Sequence, residues 1–218
     1  MDVIFGNLDL WGTAIKNTLL VFFGGGGLAL VLGIIVGAMR VSPVPIARAV
    51  GTVYVNIVRN TPLTLVFFFF VFGYPALGMG KLSPAVLGVL AIGIYTATYV
   101  AEVLRAGINT VPVGQAEAAR AIGLPFGQVM TLVVLPQAFR SVVPPMMSVF
   151  IALLKNTTVA AGFSIAELGA LRAAVNDSAG RPGSPMEVLL WVAAVFVVLV
   201  LILSFVQNRL EKKWRIVR

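Results

Sequence analysis

Residues 17–39 read NTLLVFFGGGGLALVLGIIVGAM and are bounded by Lys16 and Arg40. No Asp, Glu, Lys or Arg interrupts these 23 residues. At 1.5 Å per residue such a run makes a helix about 34 Å long, enough to cross a hydrocarbon core of about 30 Å. The run also carries four consecutive glycines, 24–27, and the pair Gly33-x-x-x-Gly37. Glycine-rich segments cradle phosphates at a strand-to-helix turn. Inside an apolar helix they instead let a second helix approach closely, and that is the setting here.

Outward from this run, residues 60–80, 82–101 and 188–208 are charge-free over similar lengths. A fifth stretch, 141–154, holds only 14 residues before Lys155, about 21 Å of helix. Uncharged sequence then resumes at 156–166. Pro144 and Pro145 read as a helix start, and counting from Pro145 puts Lys155 about 15 Å along, near mid-bilayer. Counting this stretch predicts an all-α integral membrane protein of about five spans, at roughly 17–39, 60–80, 83–105, 141–161 and 187–208. The whole chain, 1–218, then forms one transmembrane domain.

Charge bias gives the orientation. With the N-terminus outside, Arg40, Arg48, Arg59, Arg105, Arg120, Arg140 and the tail cations Arg209, Lys212, Lys213, Arg215 and Arg218 fall inside. Only Lys16, Lys81, Arg172 and Arg181 fall outside, which fits the positive-inside rule.

Composition narrows the function. The 218 residues are 59% hydrophobic and 11% charged, with a mean hydropathy of +1.00. A soluble domain carries about a quarter charged residues, so lipid is the solvent for much of this chain. Cys and His are both absent, which removes thiol nucleophiles, histidine bases and Cys/His metal sites. The eight acidic residues form no ligand cluster, so no catalytic residue and no metal site is expected. The net charge of +8 comes without a basic stripe interleaved with aromatics. It therefore reads as anchoring against anionic lipid, not as nucleic-acid binding. The N-terminus lacks a basic region ahead of its first apolar run and does not read as a cleavable signal peptide.

Residues 106–136 are too long for an ordinary connection. Pro112 and Gly114 open the segment, and 115–122 is an Ala-rich helical stretch with Glu117 in its first turn. Gly123 sits where a left-handed cap would end the helix. Pro125 restarts a second helix, and Pro136 ends it. A rigid helix pair on the cytoplasmic side can be a docking knob for another protein or a connector lying on the membrane surface.

Glu117-Ala118-Ala119, Gly123 and Leu135-Pro136 resemble the EAA loop of ABC importer permeases. Arg59-Asn60-Thr61-Pro62-Leu63 is similar to the Arg-Gly-Thr-Pro-Leu signature of the polar amino acid permeases, with Asn60 in place of Gly. YTATYVAEVLRAG at 95–107, Val111-Pro112-x-Gly114-Gln115, Leu135-Pro136-Gln137-Ala138-x-Arg140 and Leu154-Lys155-Asn156-Thr157 also match. The Arg-Asn-Thr-Pro-Leu form followed by the Phe run 67–70 resembles the glutamate permeases of actinobacteria. The resemblance implies the type I ABC importer permease fold, with a cytoplasmic coupling helix that docks an ATPase through Glu117, Ala118, Ala119, Ile122, Gly123 and Leu124. It implies a second permease, a heterodimer being favoured over a homodimer. It also implies two ATP-binding subunits and an external substrate-binding protein. No Walker A sequence occurs, so this chain binds no cofactor and ATP with Mg belongs to the partner ATPase. A secondary transporter half or channel subunit is the alternative, and it would need coupling-ion groups within the spans.

For the substrate path the candidates are Lys155, Asn156, Thr157, Thr61, Arg59, Tyr95 and Tyr99. A charge at mid-bilayer faces a cavity or a partner. Lys155 thus either meets a substrate carboxylate, with Asn156, Thr157 and Thr158 adding hydrogen bonds, or forms a structural ion pair or snorkels. Arg59 reads as an inner-boundary anchor or a vestibule cation. Thr61 reads as an N-cap ahead of Pro62 at N1. Tyr95 and Tyr99 share a helix face, for packing or for ligand, and Glu102 and Arg105 read as a local pair. Ser164-Ile165-Ala166-Glu167 has capping-box spacing and predicts a helix from Ile165 to about Val175. Residues 176–185 read as an exposed loop.

Overall fold

The computed structural model describes residues 2–176 and 184–213. Most of the predicted loop at 176–185, with Arg181, lies outside the described residues, as do Arg215 and Arg218. All regular structure among the described residues is helical. Four helices are long and apolar enough to cross a membrane, or five if one sharply bent pair counts as a span.

Helix α1, Leu8–Val41, contains the opening glycine run and extends past it at both ends. Its main partner is α4, Pro84–Ile108, which starts on the cap of Ser83. Glycine sets the distance between them. A Cβ on Gly25 would sit 2.4 Å from Ile92 Cγ2, and one on Gly33 2.4 Å from Val100 Cγ1 and 3.0 Å from the Ala97 carbonyl. Gly33→Val is therefore expected to destabilise the protein by about 2 kcal/mol through overpacking. Thermal unfolding in detergent measures it, and a melting point equal to wild type would count against this packing.

Residues 60–80 do not form one straight helix. Helix α2, Pro45–Asn60, meets α3, Leu63–Ala76, at 100°. Pro62 lacks the N–H that would continue the helix and forces Thr61 into an extended conformation (φ −83°, ψ 132°). The Thr61 hydroxyl donates back to the Ile57 carbonyl at 2.8 Å, so it closes α2 and does not cap α3. Pro62 itself holds the N-cap position that Thr61 was expected to fill. Residues Phe69–Gly73 of α3 are a π-helix.

The expected break at Pro136 and fresh start at Pro144-Pro145 are also absent. Helix α5, Val113–Ala121, is followed at once by α6, a 38-residue helical run, Phe126–Phe163. Within α6, Val129–Val134 is a π-helix and Thr157–Phe163 is 3₁₀. Pro136 lies in the first turn of the α-helical part, and Pro144 and Pro145 lie inside it. The depth of Lys155 counted from Pro145 therefore loses its origin. Helix α6 crosses α4 tightly, since a Cβ on Gly107 would lie 2.2 Å from Val142 Cγ2.

The segment after α6 turns at Ser164, which adopts a left-handed φ of 60°. The predicted helix from Ile165 begins later, as a 3₁₀ turn at Leu168–Ala170 followed by α7, Leu171–Asn176. Helix α8, Pro185–Lys213, completes the bundle and leaves most of its surface exposed. Trp11 and Ala14 of α1 pack with Leu168, Leu171, Val175, Val188 and Val192 at the N-terminal end of the bundle. Asn17 Nδ2 donates to the Ala166 carbonyl at 2.9 Å, and the Leu168 N–H donates to Thr18 Oγ1 at 3.0 Å.

Glu167 is fully buried beside these contacts. Its carboxylate oxygens find no well-aligned hydrogen-bond partner. Burial pushes its pKa up, and the Gly169 and Ala170 N–H groups offset this only in part. The folded state therefore prefers the protonated acid, and stability falls as pH rises above its ordinary value of 4.5. Glu167→Gln is expected to raise the melting temperature, with a gain that widens from pH 4.5 to pH 8. A gain independent of pH would remove this explanation.

Candidate coupling and translocation site

Helix α5 and its cap form a knob at the end of the bundle opposite the N-terminus of α1. The helix starts at Val113, so Glu117 is its fifth residue and lies beyond the first turn, where the dipole argument placed it. The predicted end holds. Gly123 has φ +86°, its N–H bonds the Arg120 carbonyl at 2.9 Å, and the Leu124 N–H bonds the Ala119 carbonyl at 3.1 Å. These two bonds define a Schellman motif, and Pro125 follows to redirect the chain.

The knob is anchored on one side and bare on the other. Ala119 is buried against Val129 and Val134 of the π segment, and Leu124 packs on the same cluster. Gln137 Nε2 hydrogen-bonds Gln115 Oε1 and also the Val133 carbonyl, tying α5 to α6. Glu117, Ala118, Ile122 and Gly123 are exposed, and Ile122 is 78% so. Of the six residues expected to dock a partner, four face outward, while Ala119 and Leu124 hold the knob in place.

The polar candidates within the bundle fall into separate places. Tyr95, Thr96 and Tyr99 of α4 face Ser148, Ala152 and Asn156 of α6 across a cavity of about 320 Å³. The Tyr95 and Tyr99 hydroxyls are 3.0 Å apart and hydrogen-bonded. Lys155 and Thr158 line a different cavity, about 410 Å³, against Phe196, Val197, Val200 and Leu201 of α8. Thr157 is buried and donates to the Leu154 carbonyl. Arg59 and Thr61 sit at the α2–α3 elbow, and neither lines these two cavities. The structure thus joins Tyr95, Tyr99 and Asn156 and separates them from Lys155, because consecutive helical residues point about 100° apart.

Glu102 does pair locally with Arg105, whose Nε lies 3.1 Å from its Oε1. A third member comes from α1, where Arg40 bonds the other carboxylate oxygen. No local spacing signals that contact, since the two residues are 62 apart in the chain.

A capped helical knob joined to a bundle of membrane-spanning helices with a cavity of amino-acid size suits a transport subunit. Residues 29–216 match the family model for the binding-protein-dependent transport system inner membrane component. The chain belongs to that family. It is a permease subunit of the ABC transporter type, which sets aside the secondary-transporter and channel alternative. It is 46% identical over 161 residues to the glutamate transport system permease protein GluC of Corynebacterium glutamicum, covering 69% of this chain and 71% of GluC. It is 34% identical to the probable glutamine ABC transporter permease protein GlnM of Bacillus subtilis, over 98% and 97% of the two chains. The solved structure of an amino acid ABC transporter with histidines superposes with a TM-score of 0.87 at 26% identity, over 94% of each chain. The permease fold is therefore the type I importer fold, and this permease is an inner membrane component.

Proposed function

We propose that this permease forms half of the path of a glutamate importer, paired with a related second permease. Two ATPase subunits hold ATP and Mg and engage the α5 knob from the cytoplasm. A binding protein delivers substrate at the opposite face, where the N-terminus of α1 lies. The C-terminus of α8 is then cytoplasmic, as the excess of Arg and Lys at that side favours. The observation that carries this reading is the knob itself. An apolar residue as exposed as Ile122, on a helix locked by a Schellman cap and a buried Ala119, is built to be covered by another protein. The glutamate assignment rests on the likeness to GluC.

Within the bundle, the cavity between Tyr95, Tyr99 and Asn156 is the substrate contact. A 320 Å³ space with four hydroxyls and an amide set among apolar side chains suits a small amino acid. Lys155, facing α8, stands apart from it.

Competition uptake in proteoliposomes holding the whole complex tests both points. Unlabelled glutamate should displace labelled glutamate, while arginine should not. Asn156→Leu is expected to cut uptake at least tenfold, because a lost polar contact leaves the substrate's groups unpaired. Full activity in Asn156→Leu would move the substrate elsewhere. The chain has no native Cys, so Ala118→Cys supplies a single thiol to check sidedness. Labelling of that thiol by an impermeant maleimide in intact cells would overturn the cytoplasmic knob.

A further inference from the structure

A third cavity, about 400 Å³, lies where α1 and α4 end beside the start of α6. Its wall is nearly all apolar: Ala38 from α1, Leu104 from α4, and Met130 and Leu135 from α6, with Ser42 and Pro43 at the end of α1. It runs back along α1 to Ile34, about 12 Å from Ser42. Met130 lies in the π segment of α6, and Leu135 directly follows it. Whatever fills the groove therefore touches the part of α6 that carries the α5 knob.

Charge at the groove's open end points to the occupant. The exposed Arg48 side chain donates through Nη1 to the Ser42 carbonyl at 2.8 Å and the Pro43 carbonyl at 3.0 Å. Both residues line the groove. One guanidinium nitrogen is used, and a guanidinium has five N–H donors suited to a phosphate. The Arg40–Glu102–Arg105 cluster on the same two helices adds a net +1. An apolar slot in membrane-spanning helices, with a cation at its mouth and no acid left unmatched, suits an amphiphile with an anionic head.

We infer that this groove holds one acyl chain of an anionic phospholipid from the leaflet facing the coupling knob, with its phosphodiester on Arg48. The lipid braces the π segment of α6 and so ties the position of the knob to membrane composition. This rests on the knob lying at the cytoplasmic face.

Photolabelling of the intact complex in nanodiscs tests it. The probes are phosphatidylglycerol and phosphatidylcholine carrying the same diazirine acyl chain, with labelled peptides mapped by mass spectrometry. Phosphatidylglycerol is expected to label Leu104, Met130 or Leu135 about fivefold more than phosphatidylcholine. Arg48→Gln should bring the two probes level. Label on the exposed α8 face but none in the groove would overturn the site. Groove labelling equal for both headgroups in the wild type would overturn the role of Arg48. A crosslink from Met130 to another subunit would show a protein occupant instead and equally overturn it. ATPase retention, measured on the same samples, reports separately on the permease reading, which can stand while this inference fails.

Discussion

Ile122→Asp is expected to detach the ATPase subunits and abolish ATP-driven uptake while leaving this chain folded. Ile122 is 78% exposed at the C-terminal end of α5 and lies outside the cluster that anchors the knob. Its removal costs the isolated permease almost nothing. A partner that covers it gains about 2–3 kcal/mol from burying the side chain. An Asp there forfeits that gain and adds a carboxylate that docking must desolvate. The sum corresponds to at least a hundredfold loss of affinity. Co-purification reads the binding, and a melting curve of the permease alone reads the fold. Ala119 supplies the contrast, because Ala119→Leu strikes the buried side of the same helix and should lower the melting curve as well. Retention of the ATPase by Ile122→Asp, with normal uptake, would refute the knob as the docking element.

The second large effect concerns Glu102. Glu102→Gln is expected to destabilise the bundle by about 3 kcal/mol, since it leaves Arg40 charged and enclosed between α1 and α4. The Arg40 side chain is only 11% exposed, and its Nε already lacks a partner. The double variant Arg40→Met with Glu102→Met should recover most of the loss, because an apolar pair of similar volume replaces an ion pair at little cost. Chemical denaturation in detergent measures both. A double variant as unstable as Glu102→Gln would mean that packing, not charge, is what Glu102 supplies.

These residues show where sequence reasoning succeeds. Charge-free length locates α1, α4 and α8, because a bilayer imposes one minimum length on every spanning helix. Spacing finds the Glu102–Arg105 pair, and Gly123 before Pro125 marks the end of α5, because both depend on atoms within one or two turns. The glycines of α1 announce a close neighbour, although not that the neighbour is α4.

The failures share a cause as well. Counting uncharged residues reports length and not direction, so it registers neither α2 nor the 100° turn from α2 into α3 at Thr61-Pro62. Pro144 and Pro145 look like a helix start by local preference. They are carried inside α6, where packing on α4 and α8 outweighs the lost backbone bonds. Asn156 and Lys155 are grouped by a motif, yet adjacent residues on a helix diverge into different cavities. Arg40 meets Glu102 only in three dimensions.

Helix α6 has a mechanical meaning. Its 38 residues form a bar about 57 Å long, with the knob's attachment at one tip and the buried Glu167 segment just past the other. The tight crossing of Val142 over Gly107 lies 16 residues from Phe126 and 21 from Phe163. That makes a fulcrum with levers of about 24 and 32 Å. If α6 turned as one body about that point, a displacement of the tip beside the knob would swing the far tip the opposite way and about a third further. Opening at one face of the membrane would then close the other without any separate linkage.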